Sequence, residues 1–552
     1  MKKTIHIVIL LSALVLAGCD DFLNNVPQDT LTAGNYYTSE RAIEQNCYAL
    51  YAAKTWSNFQ MNFMWMAGDE LAGDMFYTYD QEGQFYYASF GSNNAYITQG
   101  WKGLYRVISF ANNIINDMPA AARANKLSEK AIEQGLAHAR CVRAFAYYFL
   151  TEYWGPVTIV EDNLGMMNTP LYRNTQKDVY RFITKDLIYA AEVLPSSQSV
   201  RGMATCWTAK GLLAKVYLTM ASHLDDPRSD EYFAKAKTYA QDVIEHSGLN
   251  LYGDYSTLFD IEANNCDESL FAIQNMVAGY GYGNSRNSHW SRDTRISDVA
   301  WGSGKGPTLS LQESYAPGDL RRKWVYMTLG DYYPNLNKAE GGYTYYYVYR
   351  DSVTHNKLET SNEMLANLKK YVIGKSADTN GGVGDQQDAA NNTYLLRLAD
   401  VYMVYVEACM GSGEMTDDAL ALDVFNRIHH DRAGLPSVAT ITYDDLILER
   451  RCEFALEGIN FFDIKRMYYR NPTKALYYLN HMERHRAYYD NGSTQTNENL
   501  SPWLDPDNSP YKINPSYEPI VISASQMYLP IPGSELTSSP TLAEEPVKYY
   551  ND

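Results

Sequence analysis

Apolar positions cluster first at the amino end, where Ile5 to Leu16 is interrupted only by His6 and Ser12, follows Lys2 and Lys3, and runs into Ala17-Gly18-Cys19. The stretch is too short to span a bilayer comfortably and ends in small residues, which predicts a cleaved secretory signal over 1–18. Beyond it, apolar residues recur at helical spacing. Over 128–153 they are Ala131, Leu136, Ala139, Val142, Ala146, Phe149 and Leu150, ahead of a stop at Trp154-Gly155-Pro156. That spacing predicts a long amphipathic helix. Further helices are predicted over 178–193, 205–221 and 232–246, and a second helical block over 394–410, 416–429 and 443–457.

Between the blocks the pattern changes. Residues 249–390 hold GYGYGNSRNSHW, WGSGKG and GGYTYYYVYRDSV, a mixture of turn residues and aromatics that predicts loops and short strands. Two other loop-rich stretches cover 69–99 and 488–540. Long ordered loops on a rigid scaffold are where function usually sits. Small Gly211 and Ala214 set against Leu212, Leu213, Val216 and Tyr217 resemble tetratricopeptide packing, without that repeat's full consensus. The predicted fold is mainly α: a tetratricopeptide-like scaffold of helical pairs over about 36–248 and 391–487, carrying a loop-rich, short-strand binding region. Mature residues 19–552 are expected to form one unit, because single helix pairs cannot bury both faces alone.

Charge and composition narrow the function. The 552 residues carry a net charge of −18, which opposes nucleic-acid backbones and anionic membrane surfaces. Apart from Cys19, the cysteines at 47, 141, 206, 266, 409 and 452 are scattered singly and read as small core residues. The 48 tyrosines supply flat apolar faces with polar tips, suited to half-wet packing and to stacking on sugar rings. Most of them must be packing residues, since pockets are few per protein.

Enzymatic and metal motifs are sparse. GxSxG and the phosphate-loop glycine-lysine motif are missing, and His481 and His485 lack the glutamate position of HExxH. Asp69, Glu70 and Asp74 could form a glycosidase pair only at a separation of about 5–9 Å across a sugar. No cofactor is expected. Asp378, Asn380, Asp385 and Asp388 offer oxygen ligands to a structural calcium, but the EF-hand spacing is missing and a solvated loop is the favoured reading. Arg397, Glu407, Arg432, Glu449, Arg450, Glu453 and Arg466 lie on or beside predicted helices among apolar positions, which predicts buried ion pairs that hold helices in register.

Several of these residues carry a resemblance. Leu16-Ala17-Gly18-Cys19 resembles the bacterial lipobox, which implies that Cys19 is acylated, with chains such as palmitate, and anchors a lipoprotein without a transmembrane helix. Downstream, Cys19-Asp20-Asp21-Phe22-Leu23, Leu396-Arg397-Leu398-Ala399-Asp400, Asn426-Arg427-Ile428, Arg432-Ala433-Gly434-Leu435, Glu449-Arg450-Arg451-Cys452-Glu453-Phe454, Phe462-Asp463-Ile464-Lys465-Arg466 and Tyr528-Leu529-Pro530-Ile531-Pro532 resemble the SusD/RagB family of outer-membrane nutrient-binding lipoproteins. Ile459-Asn460 departs from that pattern, which commonly has an arginine there. The resemblance implies a cell-surface oligosaccharide-binding protein without catalysis, partnered by a SusC-like TonB-dependent transporter for glycan uptake. Its rivals are a peptide receptor of the RagB type and, less favoured, a glycan-degrading hydrolase.

The family's binding regions correspond to the loop after Gly68-Asp69-Glu70 and to the stretch leading into Pro307-Thr308. Here these offer Asp74, Phe76, Tyr77 and Tyr79, and Tyr280, Tyr282, Asn284, Arg286, Trp290 and Trp301. Trp301 ranks first, because glycines at 302 and 304 can leave its indole face open, with Tyr77 and Tyr282 next.

Overall fold

The computed structural model describes residues 33–551 apart from 167–168, 303, 329, 346–365, 485–486, 490–510 and 514–519. The signal, Cys19, His485 and much of the 488–540 stretch therefore lie outside the described residues. No helix among the described residues is long and apolar enough to cross a membrane.

The first helical block comprises α1 (Glu40–Tyr51), α2 (Ala53–Gln60), α3 (Ala95–Ala124), α4 (Glu129–Trp154), α5 (Gln176–Val193), α6 (Cys206–Ala221) and α7 (Ser229–His246). Polar side chains set their starts. Ser39, Asn94, Ser128, Thr175 and Thr205 each accept a hydrogen bond from a first-turn amide. The 30-residue α3 was not predicted, although Ile97, Trp101, Leu104, Ile108, Ala111, Ile114 and Met118 form a helical stripe, and its start at Ala95 cuts into the loop-rich stretch expected over 69–99. Successive helices pack in a tetratricopeptide-like array, α3 on α4, α4 on α5, α5 on α6 and α6 on α7.

The second block begins with a difference. Residues 394–397, expected to open a helix, belong to a strand, Thr393–Arg397, and α8 starts only at Leu398 and runs to Met410. The strand is buried on both faces, so no alternation in the sequence separates it from a helix. It pairs antiparallel with Ser269–Ile273 from the 249–390 stretch. Next come α9 (Ala419–Asn426), α10 (Tyr443–Phe454), α11 (Asn460–Arg470) and α12 (Pro472–Asn480). A π turn, Arg427–Arg432, continues α9 and replaces the α-helix expected to His429. α8 packs against α7, so the array continues across the long interruption.

The charged motif residues form the predicted interior network. Arg397 pairs with Glu268, Glu453 and Glu457, Arg432 with Glu268 and Glu453, and Arg321 with Asp319, Glu449 and Glu453. Deeper in the scaffold, Arg450 bridges Asp400 and Asp463, Lys215 joins Asp400, and Arg466 joins Glu407 and Asp463. Glu268, Arg321 and Lys370, which donates to Glu457, all come from the 249–390 stretch. The network thus bolts the loop-rich region onto the helices and fixes where the loops point. All six described cysteines are unpaired, and Cys47, Cys141, Cys206 and Cys452 are buried as expected.

Candidate ligand-binding site

Two short strands, Met75–Phe76 and Gly306–Pro307, pair antiparallel and bring the loop after Phe76 beside the loop before Gly306. Behind them a π turn, Met66–Glu70, lies against the turn at Gly458. A Cβ on Gly68 would sit 2.1 Å from the Gly458 carbonyl oxygen, so only glycine allows this approach. The pairing sets Tyr77 against the loop that carries Trp301, with its ring facing Gly304 and Lys305. Tyr79 is 72 % and Trp301 51 % exposed. Tyr77 and Tyr79 are 6.4 Å apart between centroids. Gly304 has no Cβ to press the Tyr77 ring, which would lie only 3.2 Å from it.

Trp301 is held without losing its face. Its backbone N–H donates to Ser288 at 2.8 Å, and its ring meets His289 edge-on at 5.3 Å. His289 lies 2.9 Å from the Gln387 side chain. The neighbouring Asp388 accepts from the Gly279 amide at 2.6 Å, which pins the turn that presents Tyr280 and Tyr282, 58 % and 37 % exposed. The Lys54 ammonium lies 4.7 Å from the Tyr282 centroid and donates to the Tyr280 carbonyl. Met276, 55 % exposed, and Val277 extend this second group of rings. The turn at Gln387 and Asp388 therefore links two aromatic groups, one around Trp301 and one around Tyr282. Exposed aromatic faces flanked by amide and charged groups can stack on sugar C–H faces while the polar groups meet hydroxyls.

Half of the predicted residues lie elsewhere. Asp74 is buried and spends its carboxylate on Arg451 at 2.8 Å and Asn460 at 2.7 Å. Phe76 is buried edge-on against Tyr86. Asn284 donates to the Asn391 carbonyl. Arg286 sits between the rings of Tyr371 and Trp290, and Trp290 packs against Trp65 and Tyr371. All five are at most 2 % exposed, so no ligand on this surface touches them. The short helix Arg286–Trp290 turns its side chains inward because the loop region is thick enough to have an interior of its own. Sequence reasoning in turn passed over His289, Met276, Lys305 and Gln387; the apolar Met276-Val277 pair ahead of the glycine-rich turn was the one available signal.

The carboxylates weighed for other chemistry are also accounted for. Asp69 and Glu70 are fully buried in the π turn, so neither carboxylate opens onto the aromatic surface. Burial and then Asp74 push the Asp69 carboxyl up, while burial and then Glu82 do the same to Glu70. The Asp378 carboxylate accepts from the amides of Asn337, Lys338 and Lys375, and Asp388 from those of Gly279 and Gln386. Backbone amides thus occupy acceptor sites on two of the residues considered for calcium, Asp378 and Asp388. Among the described residues no group of three His, Cys, Asp or Glu side chains is placed to hold a metal.

Comparison with known proteins places this geometry. A family profile described as "SusD family" matches residues 249–549, and one described as "Starch-binding associating with outer membrane" matches 21–218. A "SusD-like protein" of Bacteroides ovatus is 34 % identical over 570 residues, covering 99 % of this chain and 98 % of that protein. The chain belongs to the SusD family. SusD-like protein P2 of Formosa agariphila is 27 % identical across 85 % of this SusD family member and 91 % of the relative. A crystal structure with a xylogluco-oligosaccharide superimposes with a TM-score of 0.80 at 31 % identity, covering 93 % of this chain and all of that one. A laminarin-binding SusD-like protein shares the fold at 20 % identity, with a TM-score of 0.64 over 92 % of this chain and 99 % of that one.

Proposed function

We propose that this SusD family member is a cell-surface lipoprotein, anchored to the outer membrane through Cys19, that captures oligosaccharides without cleaving them and delivers them to a SusC-like TonB-dependent transporter. The observation that carries the reading is the surface formed by Tyr77, Tyr79 and Trp301 together with Tyr280 and Tyr282, where rigid loop backbone leaves aromatic faces open to solvent. Grouped exposed apolar faces rimmed by polar residues mark ligand-binding surfaces. The similarity to a protein solved with a xylogluco-oligosaccharide supports a glycan as that partner. The lipobox at Leu16 to Cys19 supports the anchor.

Isothermal titration with a xylogluco-oligosaccharide and a laminari-oligosaccharide tests capture, and a reducing-end assay on the same mixtures tests for cleavage. Heat of binding with no new reducing ends is the expected result. Release of reducing ends would make the protein a hydrolase, and peptides copurifying with it would make it a receptor of the RagB type.

A further inference from the structure

The Tyr77 ring is backed by a buried amine. Lys305 is 2 % exposed, and its ammonium lies 4.1 Å from the Tyr77 centroid and 5.4 Å from that of Trp65. Its carboxylate partner, Glu82, stands 3.3 Å away and also accepts from the Tyr96 hydroxyl. Every attachment around the amine is rigid. Trp65 is fully buried and donates its indole N–H to Met61, while the backbone of Lys305 is tied to Gly302 and to the Asn367 side chain at 2.7 Å.

Behind Glu82 lies Glu70, whose two buried oxygens have no hydrogen-bond partner. Burial disfavours its charged form, and a neutral Glu70 leaves Glu82 as the local counter-charge. Burying a lysine between two rings is a poor way to fill space, since methionine would do so without a desolvation penalty. What the ammonium adds is attraction to a π face, and that attraction grows as the cation is removed from water. Tyr77 is half-buried at the start of a loop, where an unsupported ring would sample several rotamers.

We propose that Lys305 is a positioning residue for glycan capture: seated on the inner face of Tyr77, it holds the ring so that the outer face stands ready beside Tyr79 and Trp301. The inference rests on the aromatic surface being the glycan site. It assigns part of the affinity to a side chain that never touches sugar.

Isothermal titration with a xylogluco-oligosaccharide across a double-mutant cycle tests it. Tyr77→Ala and Lys305→Met should each weaken binding by about 5–30-fold, and the Tyr77→Ala/Lys305→Met combination should be no weaker than Tyr77→Ala alone. Lys305→Arg should restore most of the affinity, and Lys305→Met combined with Trp301→Ala should show additive losses. Lys305→Met/Glu82→Gln removes both charges at once, so no unpaired carboxylate burdens the fold, and it should bind as weakly as Lys305→Met. Parent-like binding by folded Lys305→Met while Tyr77→Ala is weakened would overturn the role of Lys305 alone, as would additive losses at 77 and 305. Parent-like binding by Tyr77→Ala would remove the site reading and this inference together.

Discussion

Glu70 and Asp74 are buried carboxylates four residues apart, and they answer burial in different ways. Asp74 is met by Arg451 and Asn460, whereas Glu70 has no partner and its carboxyl is driven well above the usual range. A carboxyl raised on folding contributes its stability below its unfolded value, near 4.5, and loses it as pH climbs toward the folded value. Glu70→Gln should therefore raise the melting temperature at pH 8 and leave it almost unchanged at pH 4; an equal shift at both would contradict a neutral Glu70. The two loop tryptophans divide similarly. Trp301→Ala should weaken oligosaccharide binding in a protein that melts like the parent, while Trp290→Ala should cost about 3–5 kcal/mol of stability through its cavity. Calorimetry and titration on both variants separate the roles. The glycines at 302 and 304 are the one local signal that separates these two indoles. The rest of the difference arises because a one-turn helix swings Trp290 toward Trp65 while Gly302 packs the chain beyond Trp301 against the Trp290 backbone.

At the scale of elements, α10 shows how far pattern reading extends. Glu449, Arg450, Arg451 and Glu453 are all buried on a helix with hardly any amphipathic bias, so periodicity alone would turn it to solvent. The apolar positions around these charges were the better guide, and they led correctly to interior ion pairs. They did not reveal that Glu268, Arg321 and Lys370 reach in from the loop region, because pairing across so many residues leaves no local trace. Burial alone would raise the Glu453 carboxyl, but the guanidinium groups of Arg432, Arg397 and Arg321 outweigh it and hold the group down at about 2. A depressed carboxyl contributes stability above its unfolded value near 4.5 that is lost as pH falls toward about 2. Acid unfolding followed by circular dichroism should fall within that window. Arg397→Met, which leaves Arg432 and Arg321 to hold Glu268 and Glu453 and Lys370 alone to hold Glu457, should cost about 3–5 kcal/mol and move the transition to higher pH. The strand Thr393–Arg397 and helix α3 mark where periodicity failed. In the first, two-sided burial hides the period of two; in the second, a legible stripe starts within a glycine-punctuated stretch that suggested loop.

For the whole molecule, the leader and the packing of the two helical blocks make separate predictions. Cys19→Ala should move the protein from the membrane fraction to the soluble fraction or leave it unprocessed; unchanged fractionation with lipid label retained would defeat the anchor. Limited proteolysis should cut within 249–390 while the two helical blocks remain associated on a sizing column, because α7 and α8 bury each other's faces. Two separate calorimetric transitions would contradict that cooperativity. The same contact has a consequence in time. About 150 residues separate the end of α7 from the start of α8, so at ribosomal speed the apolar side of α7 stays uncovered for roughly 8–30 s after it emerges. Closing so long a loop is also entropically slow. A chain that leaves the ribosome or a translocation pore from its amino end thus spends that interval as a half-built array with a sticky edge, and its yield in the cell should depend on how well holding chaperones shield that edge until the last helices arrive.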